Sequence, residues 1–217
     1  MRWAHPTRGL LTPGEFIPFA ESSGLIEPIG AWVIDEACRQ LAEWRAAGLR
    51  GIISVNVSPR QVRHTDLPAL AAASLERHGV PGESLLVELT ETALRTGVDS
   101  VRELLARLRS LGVRSAIDDF GSDYSSLSRL RDLPVEVVKI DRSFLRGVPG
   151  NGRAEELLGA ITALARALGL ATIVEGVETT VQHSFATDLG CDLAQGYLLG
   201  RPTPPADIIA RAGAGVA

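Results

Sequence analysis

The stretch Val101–Gly121, VRELLARLRSLGVRSAIDDFG, decides the fold. Val101, Leu104, Leu105, Leu108 and Leu111 recur at helical spacing and fall on one face. Gly112 follows, where a helix C-terminus favours a left-handed residue because a Cβ would clash. Val113 then leads into an apolar strand, Ser115 to Ile117, that ends on Asp118-Asp119. The same junction of helix, glycine and apolar residue recurs at Gly48-Leu49, Gly79-Val80, Gly169-Leu170 and Gly190-Cys191. The helix before Gly169 is amphipathic in the same way, through Leu157, Leu158, Ile161, Leu164 and Leu168. The remaining strands are predicted at Ile52 to Val57, Leu85 to Leu89, Val135 to Ile140, Ala171 to Val174 and about Asp192 to Leu198. Nearly all are apolar without alternation, which predicts parallel strands covered on both faces.

Strand, helix, glycine, strand in regular succession is α/β architecture of the βα type. A TIM-like (β/α)8 barrel fits best, although a complete one needs eight strands and usually about 250 residues, whereas six strands are visible here. An open doubly wound sheet is the alternative. It is weaker because neither GxGxxG nor GxxxxGK[ST] follows any strand.

The bulk numbers bound the function. The chain has 217 residues, 45% of them hydrophobic, and the natural expectation is one domain over 1–217 with a frayed tail at 212–217. Net charge −4 and a pI near 5.6 argue against binding to duplex nucleic acid, which needs a basic face. Cys38 and Cys191 form no CxxC pair and fit buried thiols in a reducing cytoplasm. The N-terminal residues carry no apolar run of a signal peptide, and no uninterrupted apolar run approaches a membrane span.

Each strand ends on polar residues: Asn56; Glu88 with Glu91; Asp118 with Asp119; Lys139 with Asp141; Glu175 with Glu178; and Gln195. A barrel gathers such ends at one mouth, where barrel enzymes keep their chemistry. Carboxylates brought this close repel unless cations separate them. Oxygen donors suit Mg²⁺ or Mn²⁺ rather than zinc, and His5, His64, His78 and His183 all lie off the strand ends. Adjacent carboxylates at Asp118-Asp119 can point to opposite sides of a strand end, one bridging two ions and one binding a single ion. Two such ions stabilise the attacking and leaving oxygens of a phosphoryl displacement. Lys139 is the only lysine, beside twenty-one arginines. An ammonium there could orient or help deprotonate a water, or neutralise a phosphate; the plainer reading is a salt bridge to Asp118 or Asp141.

Six motifs now stand in order: Ser54-Val55-Asn56-Val57-Ser58, Glu88-Leu89-Thr90-Glu91, Asp118-Asp119-Phe120-Gly121, Lys139-Ile140-Asp141-Arg142-Ser143-Phe144, Glu175-Gly176-Val177-Glu178-Thr179 and Gln195-Gly196-Tyr197. With His5-Pro6 and Pro13 through Glu21 they resemble the EAL-domain family of cyclic-di-GMP phosphodiesterases over almost the whole chain. The resemblance implies an EAL-type barrel that hydrolyses cyclic-di-GMP to linear pGpG with Mg²⁺ or Mn²⁺, two ions, in bacterial second-messenger signalling. It implies Asn56, Glu88, Asp118 and Asp119 as metal ligands, and Glu175 as a second-metal ligand or water-activating base. Lys139 would engage the water and Gln195 would hydrogen-bond near the site. Arg2 would meet a substrate phosphate. Glu91 and Glu178 would stabilise loops, Glu91 holding the loop after Asp119 that contributes to dimer contacts. A homodimer and an upstream sensory or GGDEF domain are implied partners.

The chain departs from the family pattern. The Glu-Ala-Leu tripeptide, whose glutamate is a metal ligand in the family, does not occur. The first two barrel strands are expected to be absent with it, whether through truncation, a misplaced start codon or a genuine remnant. Asp123 stands in Gly121-Ser122-Asp123-Tyr124 where the family usually has glycine; Ser122 or Asp123 can instead cap the helix through Leu127 and Leu130. Two other readings stay open: a non-catalytic EAL module binding cyclic-di-GMP or a protein, and an unrelated acid-rich barrel enzyme with a lysine base.

Overall fold

The computed structural model describes residues 1–96, 98–121 and 127–213. Six strands, β3 (Ile53–Val57), β4 (Leu85–Thr90), β5 (Arg114–Phe120), β6 (Val137–Ile140), β7 (Ala171–Glu175) and β8 (Leu193–Gln195), pair in parallel in that order. Every strand neighbours the next in sequence, the winding of a barrel wall and not of a doubly wound sheet. The wall does not close: β3 and β8 are its edges. A short antiparallel hairpin, β1 (Trp3–His5) with β2 (Gly9–Leu11), precedes it and was not foreseen. The imidazole of His5 fastens its turn by accepting from the Thr7 and Arg8 backbone N–H groups.

Helices α1 (Pro13–Ser23), α2 (Ile26–Ala46), α3 (Pro59–His64), α4 (Leu67–His78), α5 (Val98–Ser110), α6 (Leu127–Asp132), α7 (Gly152–Ala167), α8 (Thr180–Asp188) and α9 (Pro205–Gly213) complete the chain. Ser58, Asp66, Asn151 and Thr179 cap α3, α4, α7 and α8 through side-chain oxygens. All five junction glycines have positive φ, between 63° and 82°. None of the described helices is long and apolar enough to cross a membrane.

Three hydrophobic clusters pack against the wall. The largest lies outside it, where Ile34, Cys38 and Leu41 of α2, Leu67 and Leu75 of α4, and Leu105 and Leu108 of α5 meet Val55, Val87, Leu89, Ile117 and Val138. A second joins Ile140, Val174 and Val177 to Leu145, Leu158 of α7 and Ala186 of α8. The inner one is small: Leu86, Ala116 and Val137, with Ala171 and Ile173 against them. This division corrects the expectation of strands covered on both faces. β6 is buried throughout and β4 nearly so, but β3 alternates, with Ser54 and Asn56 exposed between the buried Val55 and Val57. Edge strands of an unclosed wall have helices on one face only.

Other boundaries moved. β5 runs from Arg114 to Phe120 and carries both aspartates within it. β6 starts at Val137, because Glu136 turns its carboxylate onto the Ser115 N–H at 2.9 Å. β8 stops at Gln195: a Cβ on Gly196 would lie 2.1 Å from the Val177 carbonyl oxygen, so chain and chain cross too closely for a strand to continue. In α7, Leu158 is fully buried but Leu157 is 47% exposed, and Thr162 and Ala165 take its place in the packed face. Cys38 and Cys191 are free thiols, as the sequence suggested.

Candidate functional site

The register of the wall brings the polar strand ends together. Asn56 pairs with Glu88, Thr90 with Asp118, Lys139 with Ile173 and Glu175 with Gln195. Residues two apart along a strand share a face, so Glu88 and Thr90 project to the side where Leu86 enters the inner core. The carboxylates thus stand just above that core.

Lys139 is their hub. Its Nζ donates to Glu88 Oε2 at 2.8 Å and Asp118 Oδ1 at 2.9 Å, and lies 2.6 Å from Glu175 Oε1. Three acceptors match the three protons of an ammonium. Lys139 and Glu88 are 3% and 2% exposed, which makes this a buried ion pair. Burial alone would lower the lysine pKa, but the Glu88 charge and the bonds from Glu175, Glu88 and Asp118 outweigh it and raise it. The expected alternative bridge to Asp118 is present; that to Asp141 is not. Asp141 Oδ1 accepts instead from the Ser143 N–H at 2.9 Å and caps the turn Arg142–Leu145.

Asp119 differs from its neighbour. Its φ is +54°, the only positive value among the described non-glycine residues, and the β5–β6 register shifts between Ile117 and Phe120. That irregularity swings its carboxylate round. Ligand oxygens of Asp118, Asp119 and Glu175 all lie within 4.8 Å of one another, close enough for both aspartates to serve one shared cation site. Burial, then Asp118 and Asp141, raise the Asp119 pKa against Lys139 and Arg142. Burial likewise raises that of Glu175, with Lys139 opposing and Asp118 and Glu88 adding to the rise. The cluster is short of positive charge even with the lysine present. Its donors are all oxygen, so the residues fit a hard divalent cation. Among the histidines, His78 pairs with Asp35 and His5 serves the hairpin, away from this cluster.

A family model described as EAL domain matches residues 1–202. The chain belongs to the EAL domain family. It is 43% identical over 211 residues to the bifunctional diguanylate cyclase/cyclic di-GMP phosphodiesterase MucR of Pseudomonas aeruginosa, covering 97% of this chain and 31% of MucR. It is 42% identical over 205 residues to the cyclic di-GMP phosphodiesterase NbdA of the same organism, covering 94% of this chain and 26% of NbdA. The EAL chain therefore spans under a third of these curated relatives. The solved PaMucR phosphodiesterase, in complex with c-di-GMP, superposes with a TM-score of 0.90 at 43% identity, covering 95% of this chain and 84% of that one.

The other EAL-family residues named from sequence are placed as follows. Gln195 is exposed at the end of β8, and its carbonyl accepts from the Val177 N–H at 3.0 Å. Arg2 is exposed and lines, with Ser54 and Gln195, a cavity of about 890 Å³ between the two edges of the wall. Glu91 opens the turn Glu91–Thr96 directly after β4, and Glu178 is exposed, three residues past β7. The loop residues Ser122, Asp123 and Tyr124 lie outside the described residues, as does the tail beyond 213. Thr90 was quoted within a motif but given no role. It lines a second cavity, of about 490 Å³, with Asn56 and Ser58. Its spacing of two from Glu88 was the available signal.

Proposed function

We propose that this EAL domain hydrolyses cyclic-di-GMP to linear pGpG in bacterial second-messenger signalling, with Mg²⁺ or Mn²⁺ as cofactor. The observation that carries the reading is the convergence of Glu88, Asp118 and Glu175 on Lys139, with Asp119 turned into the same group. Asn56, Glu88, Asp118, Asp119 and Glu175 would hold two ions, which would supply charge stabilisation at the phosphate and an acidified water. In the reaction a water oxygen bonds to phosphorus as the P–O3′ bond breaks, leaving a 5′-phosphate and a ribose hydroxyl. Glu175, at the rim of the cluster, would accept the proton of the water. Lys139, held among Glu88, Asp118 and Glu175, would engage the attacking water. Gln195 and Arg2, on the seam side, would contact the nucleotide and its phosphate, and Glu91 and Glu178 would steady the flanking loops. Cytoplasmic placement, a homodimer and an upstream sensory or GGDEF domain belong to the same reading; that MucR is a longer protein with a diguanylate cyclase activity as well supports the upstream domain.

A second reading is an EAL module that binds cyclic-di-GMP without cutting it. Turnover assays separate the two. With Mn²⁺, the chain joined to an upstream family segment ending in Glu-Ala-Leu is expected to release pGpG readily. A joined protein that is folded and metal-loaded, yet leaves cyclic-di-GMP intact while binding it in Ca²⁺ calorimetry, would establish the receptor instead.

A further inference from the structure

Lys139 Nζ meets Oε2 of Glu88, Oδ1 of Asp118 and Oε1 of Glu175. A carboxylate carries two acceptor oxygens, so each can also serve a second cation. With every carboxyl ionised, Glu88, Asp118, Asp119 and Glu175 set four negative charges against the one ammonium, on strands β4 to β7. Glu88 is 2% exposed. Without a cation its charge would stand unpaired in the interior, a severe cost. Metal sites that lack an internal cation couple folding to the ion, so that chelation unfolds them.

We infer that Lys139 is a resident counter-ion that assembles the acidic site before metal arrives, so that the fold does not depend on the metal. The inference rests on the metal reading proposed above. It makes Lys139 a positioning residue: the ammonium holds β4, β5 and β7 by their carboxylates while leaving the ion free to come and go.

The test is thermal unfolding of the full chain in EDTA and in Mn²⁺, with calorimetric titration of Mn²⁺ alongside. The wild type is expected to bind Mn²⁺ and to gain a modest rise in Tm. Lys139→Met in EDTA is expected to melt roughly 10 °C lower, as removal of one partner of a buried ion pair does in a chain of this size. Mn²⁺ should raise its Tm far more than that of the wild type. A methionine also changes packing, so a second variant decides: Lys139→Met with Glu88→Gln, which removes the ammonium and one buried charge together. If the double variant recovers at least half of the loss in EDTA, charge is the cause and the inference stands, even if the single variant fails to fold without metal. A double variant as unstable as the single one, or equal Mn²⁺ shifts in wild type and Lys139→Met, overturns it while leaving the metal reading in place. Absence of any Mn²⁺ binding heat in the wild type overturns both.

Discussion

Asp119 holds a backbone conformation that glycine adopts freely and other residues adopt at a cost of roughly 1 kcal/mol. Its φ of +54° is what turns the carboxylate toward Asp118 and Glu175. Strain of this kind persists where the surroundings over-determine it, and it clusters at functional sites. Comparing two substitutions isolates the backbone contribution, since both remove the carboxylate. Asp119→Ala is expected to be about 1 kcal/mol less stable than Asp119→Gly in urea denaturation, and both should bind Mn²⁺ more weakly than the wild type. Equal stability of the two variants would mean that the backbone relaxes without the carboxylate. The dipeptide was legible in the sequence as a pair of ligands. The left-handed backbone of Asp119 was not, because a register shift depends on the pairing of β5 with β6, which no local pattern records.

At the scale of elements, β8 is the weakest member of the wall: three residues, with Leu193 and Gln195 exposed. Asp192 compensates. Its carboxylate accepts from the Thr172 N–H at 2.8 Å and from the Thr172 hydroxyl at 2.9 Å, and the Asp192 N–H donates back to that hydroxyl at 3.0 Å. The Thr172 N–H, ahead of a smaller opposing effect of burial, holds the Asp192 pKa below its ordinary 3.8. A depressed carboxylate contributes stability above the unfolded value and loses it as pH falls through the folded one. Asp192→Ala is therefore expected to cost about 1 kcal/mol near neutral pH, and the gap from the wild type should close in strong acid, below the folded pKa. Urea titrations at the two pH values would read it; a gap that persists in acid would assign the cost to something other than the ionised clamp. The five junction glycines were readable because each answers a one-residue requirement, a helix end in the left-handed region. The hairpin of β1 and β2 was not, since three-residue strands are too short to show a period. Leu157 and Leu158 show the limit of periodicity as well: adjacent leucines satisfy the same pattern, and only packing chooses the inner one.

Across the whole molecule, the seam between β3 and β8 gathers exposed apolar side chains, among them Trp32, Ile52, Tyr197 and Leu199. The Trp44 indole N–H and the Thr203 hydroxyl, both buried and without partners, line the same cavity. An unclosed wall with bare edges invites pairing. Joining the upstream family segment is expected to lower binding of an apolar dye such as ANS and to shift tryptophan emission to shorter wavelength. Unchanged dye binding and emission would mean that the segment seats elsewhere. The seam was foreseen in kind, from a count of six strands against eight, but the aromatic surface around it was not, because α2 reads as an ordinary amphipathic helix until its neighbour is missing.

The split between an extensive outer core and a thin inner one has a consequence for how such a chain can change over generations. Most of the apolar anchorage sits behind the sheet, in Leu89, Leu105, Ile117 and their neighbours, remote from the acidic basin. Only Leu86, Ala116, Val137 and two partners form the basin floor. Substitutions at exposed positions of the mouth, such as Asn56 and Gln195, leave that foundation untouched, so the mouth can be refitted to a different ligand while the sheet keeps its backing.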